Sequence, residues 1–95
     1  MTPHERIQAW YVNQCNGDWE HGAGITISSI DNPGWSISID LRDTCLEAQP
    51  FKRVQHERSA LDWLHAWRTG DEFCVACGPK NLEEALDLFC TWAGD

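Results

Sequence analysis

The sequence contains no apolar run approaching the roughly 18 residues that a membrane helix needs, so a membrane-spanning chain is excluded as a reading. Its opening residues, MTPHERIQAW, lack the hydrophobic stretch of a secretory leader. Basic residues are scarce: seven Lys and Arg stand against fifteen Asp and Glu, for a net charge of −8 at pH 7. Nucleic acid, which is held by a basic stripe, is therefore a poor partner. A glycine-rich phosphate loop is also missing, because GAG at 22–24 is short and precedes a strand rather than a helix. No repeat, linker or low-complexity segment interrupts the 95 residues. These absences together predict a cytoplasmic protein, with neither membrane nor nucleic acid as partner.

A chain of this length predicts one domain over residues 1–95 with a thin but real core. Apolar residues make up 42%, which argues against disorder, and six tryptophans and three phenylalanines supply large packing units. Five cysteines follow no secretory signal, and their odd number does not suit a disulfide framework, so reduced thiols are expected. The acidic surplus fits either plain solubility or a basic partner drawn in by long-range attraction.

Thr2, Pro3 and Glu5 form a capping box with proline at the first helical position, and Ile7, Trp10, Tyr11, Gln14 and Cys15 follow at helical spacing. Asn16-Gly17 ends that helix. From Gly24 the period becomes two. GITISSI and WSISIDL flank DNPG (31–34), an antiparallel hairpin that places Trp35, Ile37, Ile39 and Leu41 on a buried face. Pro33-Gly34 suggests a type II turn with Gly34 at positive φ. FKRVQHER (51–58), LDWLHAWRT (61–69) and EFCVAC (72–77) read as three further strands. Trp10, Trp35, Trp63 and Trp92 fall at core-facing phases. Asn81 caps a second helix, with Leu82, Ala85, Leu86, Phe89 and Trp92 on its apolar face and Gly94 after its end. The expected fold is α+β: an antiparallel sheet of about five strands with an N-terminal and a C-terminal helix packed on it. If both helices share one sheet face, the other, with Thr26, Ser28, Ser36, Ser38 and Asp40, is left partly open.

Cys74-x-x-Cys77 has metal-like spacing, but in a strand the two sulfurs face opposite ways, and a matching second pair is lacking. Buried free thiols are the commoner meaning, and neither metal nor cofactor is expected. A nucleophilic cysteine would need a nearby base or a helix N-terminus; Cys15 and Cys90 instead lie toward helix C-terminal ends. The stretch CNGDWEHGAG (15–24) is more heavily decorated than a turn requires. Gly17, Gly22 and Gly24 let the chain turn, as Asn32, Pro33 and Gly34 do in the hairpin. Asp18, Glu20 and His21 are candidates for partner contact. Trp19 either folds back on the core or anchors a partner. Asp31 and Asp40, at the two ends of the second strand, join these partner-binding candidates.

Residues 10–41, WYVNQCNGDWEHGAGITISSIDNPGWSISIDL, resemble the signature half of the immunity protein 53 family (Imm53), with its CDGDWEH loop and DNPGW turn. The later F…V…DW pattern and NLEEALDLFCTW are similar to its second half. Asn16 departs from the pattern, which has an aspartate there. The resemblance implies a bacterial immunity protein of a polymorphic toxin system, not an enzyme, that binds and neutralises a cognate toxin in the producing cell. An acidic inhibitor can cover a basic nucleic-acid-binding cleft, which points to a nuclease as the toxin. The competing readings are a small cysteine-dependent enzyme, such as a sulfurtransferase, and a metal-stabilised binding module.

Overall fold

The capping box opens the first helix and a glycine closes the second, as their sequence signals predict. In a computed structural model of the chain, which describes residues 1–94, helix α1 spans Pro3–Gln14. The Thr2 hydroxyl accepts from the Glu5 N–H at 3.2 Å, and the Glu5 carboxylate accepts from the Thr2 N–H at 3.0 Å. Two otherwise orphaned donors are thus satisfied at the helix start. Helix α2 spans Leu82–Ala93 and stops at Gly94, whose φ of 87° is left-handed. Among the described residues, five strands lie between the helices: β1 (Ile25–Ile30), β2 (Gly34–Asp40), β3 (Val54–Ser59), β4 (Asp62–Arg68) and β5 (Glu72–Cys77). They form one antiparallel sheet in the order β1-β2-β5-β4-β3. The connection from β2 to β3 therefore crosses from one side of the sheet to its far edge. No helix of the described residues is long and apolar enough to cross a membrane.

Register fixes which side chains share a face. Ile37 pairs with Val75, which pairs with Ala66, and Ile39 pairs with Phe73. These residues, with Leu64 and Cys77, are buried on the helix side, against Ile7, Trp10, Ala85, Leu86, Phe89 and Cys90. A run of rings ties the layers together. Trp10 meets Phe89 edge-on at 4.9 Å, Phe89 meets Phe73 at 5.1 Å, and Trp92 stacks on Phe73 at 5.3 Å. Such pairs add to the area term, at about 0.5–1.5 kcal/mol each.

Four expectations are corrected here. Gly34 is not a positive-φ turn residue: the reversal is complete before it, the Asn32–Pro33 bond is cis, and Gly34 already opens β2 opposite Ile30. Glycine is required for a different reason, because a Cβ at this position would collide with the Cys77 carbonyl oxygen. Trp63 does not face the core. Leu64 and Ala66 do, so period two turns Trp63, His65 and Trp67 to the opposite face, where all three are half-buried. Asn81 precedes α2 without capping it through its side chain. Its amide instead accepts from the Trp63 N–H at 3.3 Å and donates to Asp62 and Glu84, both at 2.9 Å, so it fastens β4 to α2. Finally, the hairpin's apolar face is not fully covered: Ile27, on edge strand β1, remains 43% exposed.

Candidate functional site

Residues 15–24 are held mainly by their own side chains. The Glu20 carboxylate accepts from the backbone N–H groups of Asn16 at 2.9 Å and Gly17 at 2.7 Å. Backbone N–H donors, its own first and then those of Asn16 and Gly17, hold its carboxyl below the ordinary glutamate value. Asn16 Oδ1 accepts from the N–H groups of Asp18 at 2.9 Å and Trp19 at 3.0 Å. An aspartate could accept the same two bonds, so the departure at Asn16 leaves the loop's design intact. Gly17 and Gly24 take left-handed backbone at φ 94° and 57°, whereas Gly22, at φ −90°, does not.

Trp19 occupies the packing position of its two alternatives. It is 6% exposed, donates through Nε1 to the Asp40 carbonyl at 3.3 Å, and sits edge-on to Trp10 at 5.6 Å. Asp40 is 4% exposed, and its carboxylate accepts from Arg42 through both the N–H at 3.0 Å and Nε at 3.2 Å. Asp18 and His21 remain exposed. Asp31 is also exposed, but it lies in the β1–β2 turn, at the opposite end of the hairpin from Asp40.

Six residues line a shallow cleft at this corner: Asp18, Trp19, Gly22, Asp40, Arg42 and Asp43. Asp40, Asp71 and Asp43 all act on the Arg42 guanidinium and raise its pKa, Asp40 most strongly through its hydrogen bonds. Three carboxylates thus act on one arginine, and Asp18 lines the same cleft. Asp43 and Asp71 carry no signal in the sequence, because they arrive from two separate connections; only their place in the fold adds them to Asp18 and Asp40.

The chain's arginines are largely engaged by the chain itself. Arg6 pairs with Asp87 at 2.6 Å, and Arg58 bridges Asp62 at 2.8 Å and Glu84 at 2.7 Å. Arg53 lies over the Trp67 ring at 5.6 Å. The Arg68 guanidinium donates to the backbone carbonyls of Leu46, Glu47, Gln49, Thr69 and Gly70. The surface field is accordingly that of the surplus carboxylates. Burial pushes the Cys77 thiol up to about 11 and, with Glu72, raises that of Cys74, the opposite of what a nucleophile needs. Among the described residues no group of three or more His, Cys, Asp or Glu is placed to hold a metal ion.

Fold and surface together define a small acidic α+β domain whose exposed carboxylates are mounted on a tightly packed scaffold. The chain belongs to the immunity protein 53 family (Imm53), whose model matches residues 4–94. No curated protein and no solved structure matches it.

Proposed function

We propose that this immunity protein neutralises a cognate toxin by direct, stoichiometric binding inside the producing cell, and that it is not an enzyme. The toxin presents a basic surface, and a nuclease, whose cleft must attract phosphates, is the class that fits best. The observation that carries this reading is the acidic corner. Asp18, Asp43 and Asp71 are exposed there beside the buried Asp40, with Arg42 as the cation among them. Exposed like charges held close together repel one another, and a basic partner relieves that repulsion while gaining attraction of its own.

The test is a titration, with this chain, of a toxin domain sought among the products of adjacent genes. A binding inhibitor abolishes toxin activity at one equivalent, and its association slows as salt rises from about 0.05 to 0.5 M, where screening shortens the reach of the field. Inactivation by a small fraction of an equivalent, with turnover, would show an enzyme acting on the toxin. Salt-independent association would remove the charge argument.

A further inference from the structure

The sheet has two free edges, and they are protected very differently. β3 is guarded: it carries His56, Glu57 and Arg58, and its register breaks between Glu57 and Ser59. Charge and irregularity of this kind keep other strands from pairing. β1 has neither device. Its six residues, ITISSI, include no charge and no proline, its register with β2 is unbroken from Ile25 to Ile30, and its four central residues are exposed. The direction of its free backbone groups follows from the ladder. The Asp40 N–H donates to the Gly24 carbonyl at 2.8 Å, which makes that pair hydrogen-bonded. Alternation then turns the N–H and C=O groups of Thr26, Ser28 and Ile30 toward β2, and those of Ile25, Ile27 and Ser29 outward.

We infer that β1 receives an added strand from the toxin, extending the sheet by main-chain hydrogen bonds to Ile25, Ile27 and Ser29. This rests on the toxin-binding reading above and specifies where part of the partner lies. Charge selects the occupant. The uncharged strand is bracketed by carboxylates, with Asp31 following Ile30 at one end and the Asp18–Asp40 corner adjoining Gly24 at the other. A second copy of this chain, paired antiparallel, would bring each acidic end against the other's, and each copy carries a net charge of −8. An edge strand of a basic protein, with Lys or Arg beyond its ends and an apolar side chain beside Ile27, meets complementary charge at both ends.

The test is amide hydrogen exchange, read residue by residue on the full chain, free and bound to a catalytically inactivated form of the cognate toxin. Binding should slow exchange at Ile25, Ile27 and Ser29 at least tenfold, while the Thr26 and Ser28 amides, already paired to β2, change little. Ile27→Pro removes one outward donor without touching the β1–β2 ladder. It should weaken binding at least tenfold, whereas Gln55→Pro on the guarded edge should not; melting curves confirm that both variants fold. A toxin complex with unchanged exchange at the three amides would overturn the strand proposal and leave neutralisation standing. The absence of any complex with the wild-type chain would overturn both. Slow exchange at the same amides without toxin, together with a dimer in sedimentation, would assign the edge to a second copy instead.

Discussion

Two irregular segments, 15–24 and 42–50, each carry a cysteine and two carboxylates, and they are anchored to the fold differently. The first contains its own framework. Asn16 and Glu20 satisfy nearby backbone donors, and Trp19 drives the segment onto the core beside Trp10. The second also has bonds of its own, from the Asp43 N–H to the Glu47 carboxylate at 3.2 Å and from the Leu46 N–H to the Thr44 hydroxyl at 3.1 Å, but it is clamped from outside as well. Leu46 is buried, and the carbonyls of Leu46, Glu47 and Gln49 converge on Arg68, a residue of β4. They meet at one corner, where Trp19 Nε1 reaches the Asp40 carbonyl and Asp18 and Asp43 line the same cleft. A polar side chain in an irregular segment is therefore not automatically a surface group for a partner. Glu20 and Asn16 are structural; Asp18 and Asp43 are exposed.

The contrast can be broken first at Trp19. Trp19→Ala should cost about 3–5 kcal/mol, as large aromatic truncations in a core do, measured by urea denaturation. A loss below about 1 kcal/mol would mean that the loop does not depend on its tryptophan. Arg68→Lys comes next, at about 1.5–3 kcal/mol, because one ammonium cannot span carbonyls that a planar guanidinium reaches together. Proteolysis should then open the chain near 46–50 and leave 15–24 intact; cleavage in the first segment instead would contradict its self-sufficiency. Glu20→Gln should destabilise less than either change. Its effect also has a pH signature. The folded carboxyl titrates below its unfolded value, so its contribution is complete above about pH 4.3 and fades as pH falls through the lower folded value. Melts of wild type and Glu20→Gln should accordingly differ at pH 7 and converge toward pH 3, and a constant difference across that range would refute the carboxylate's role.

Much of the fold was legible because period and punctuation agreed. The capping box at Thr2, the hairpin alternation and the apolar stripe of α2 each combine a pattern with a terminator. The failures have physical causes. In β4 both faces carry large or apolar groups, so alternation alone could not decide whether Trp63 or Leu64 faces the helices. At Gly34 the local turn signal was outweighed by a close approach to Cys77, a contact 43 residues away in sequence. Asn81 stands where a cap belongs, yet Asp62 and the Trp63 N–H, brought near by the sheet, compete for its amide. Of the proposed contact residues, Asp18 and Asp40 came together, Trp19 and Glu20 took structural roles, and Asp31 lies at the far end of β2. Arg68 had no local signal at all, since its carbonyl partners lie up to 22 residues away.

The smallest expected effect on stability belongs to the corner's exposed carboxylates, and there the functional account is tested most directly. Asp18→Asn combined with Asp43→Asn removes two charges with little change of shape, and asparagine tolerates the left-handed backbone at Asp43, where φ is 62°. The double variant should melt within about 0.5 kcal/mol of wild type. Calorimetric titration against the cognate toxin should show affinity lowered by about 2–5 kcal/mol if both charges are buried against basic groups. A folded double variant that binds and neutralises the toxin as tightly as the wild-type chain would contradict the account.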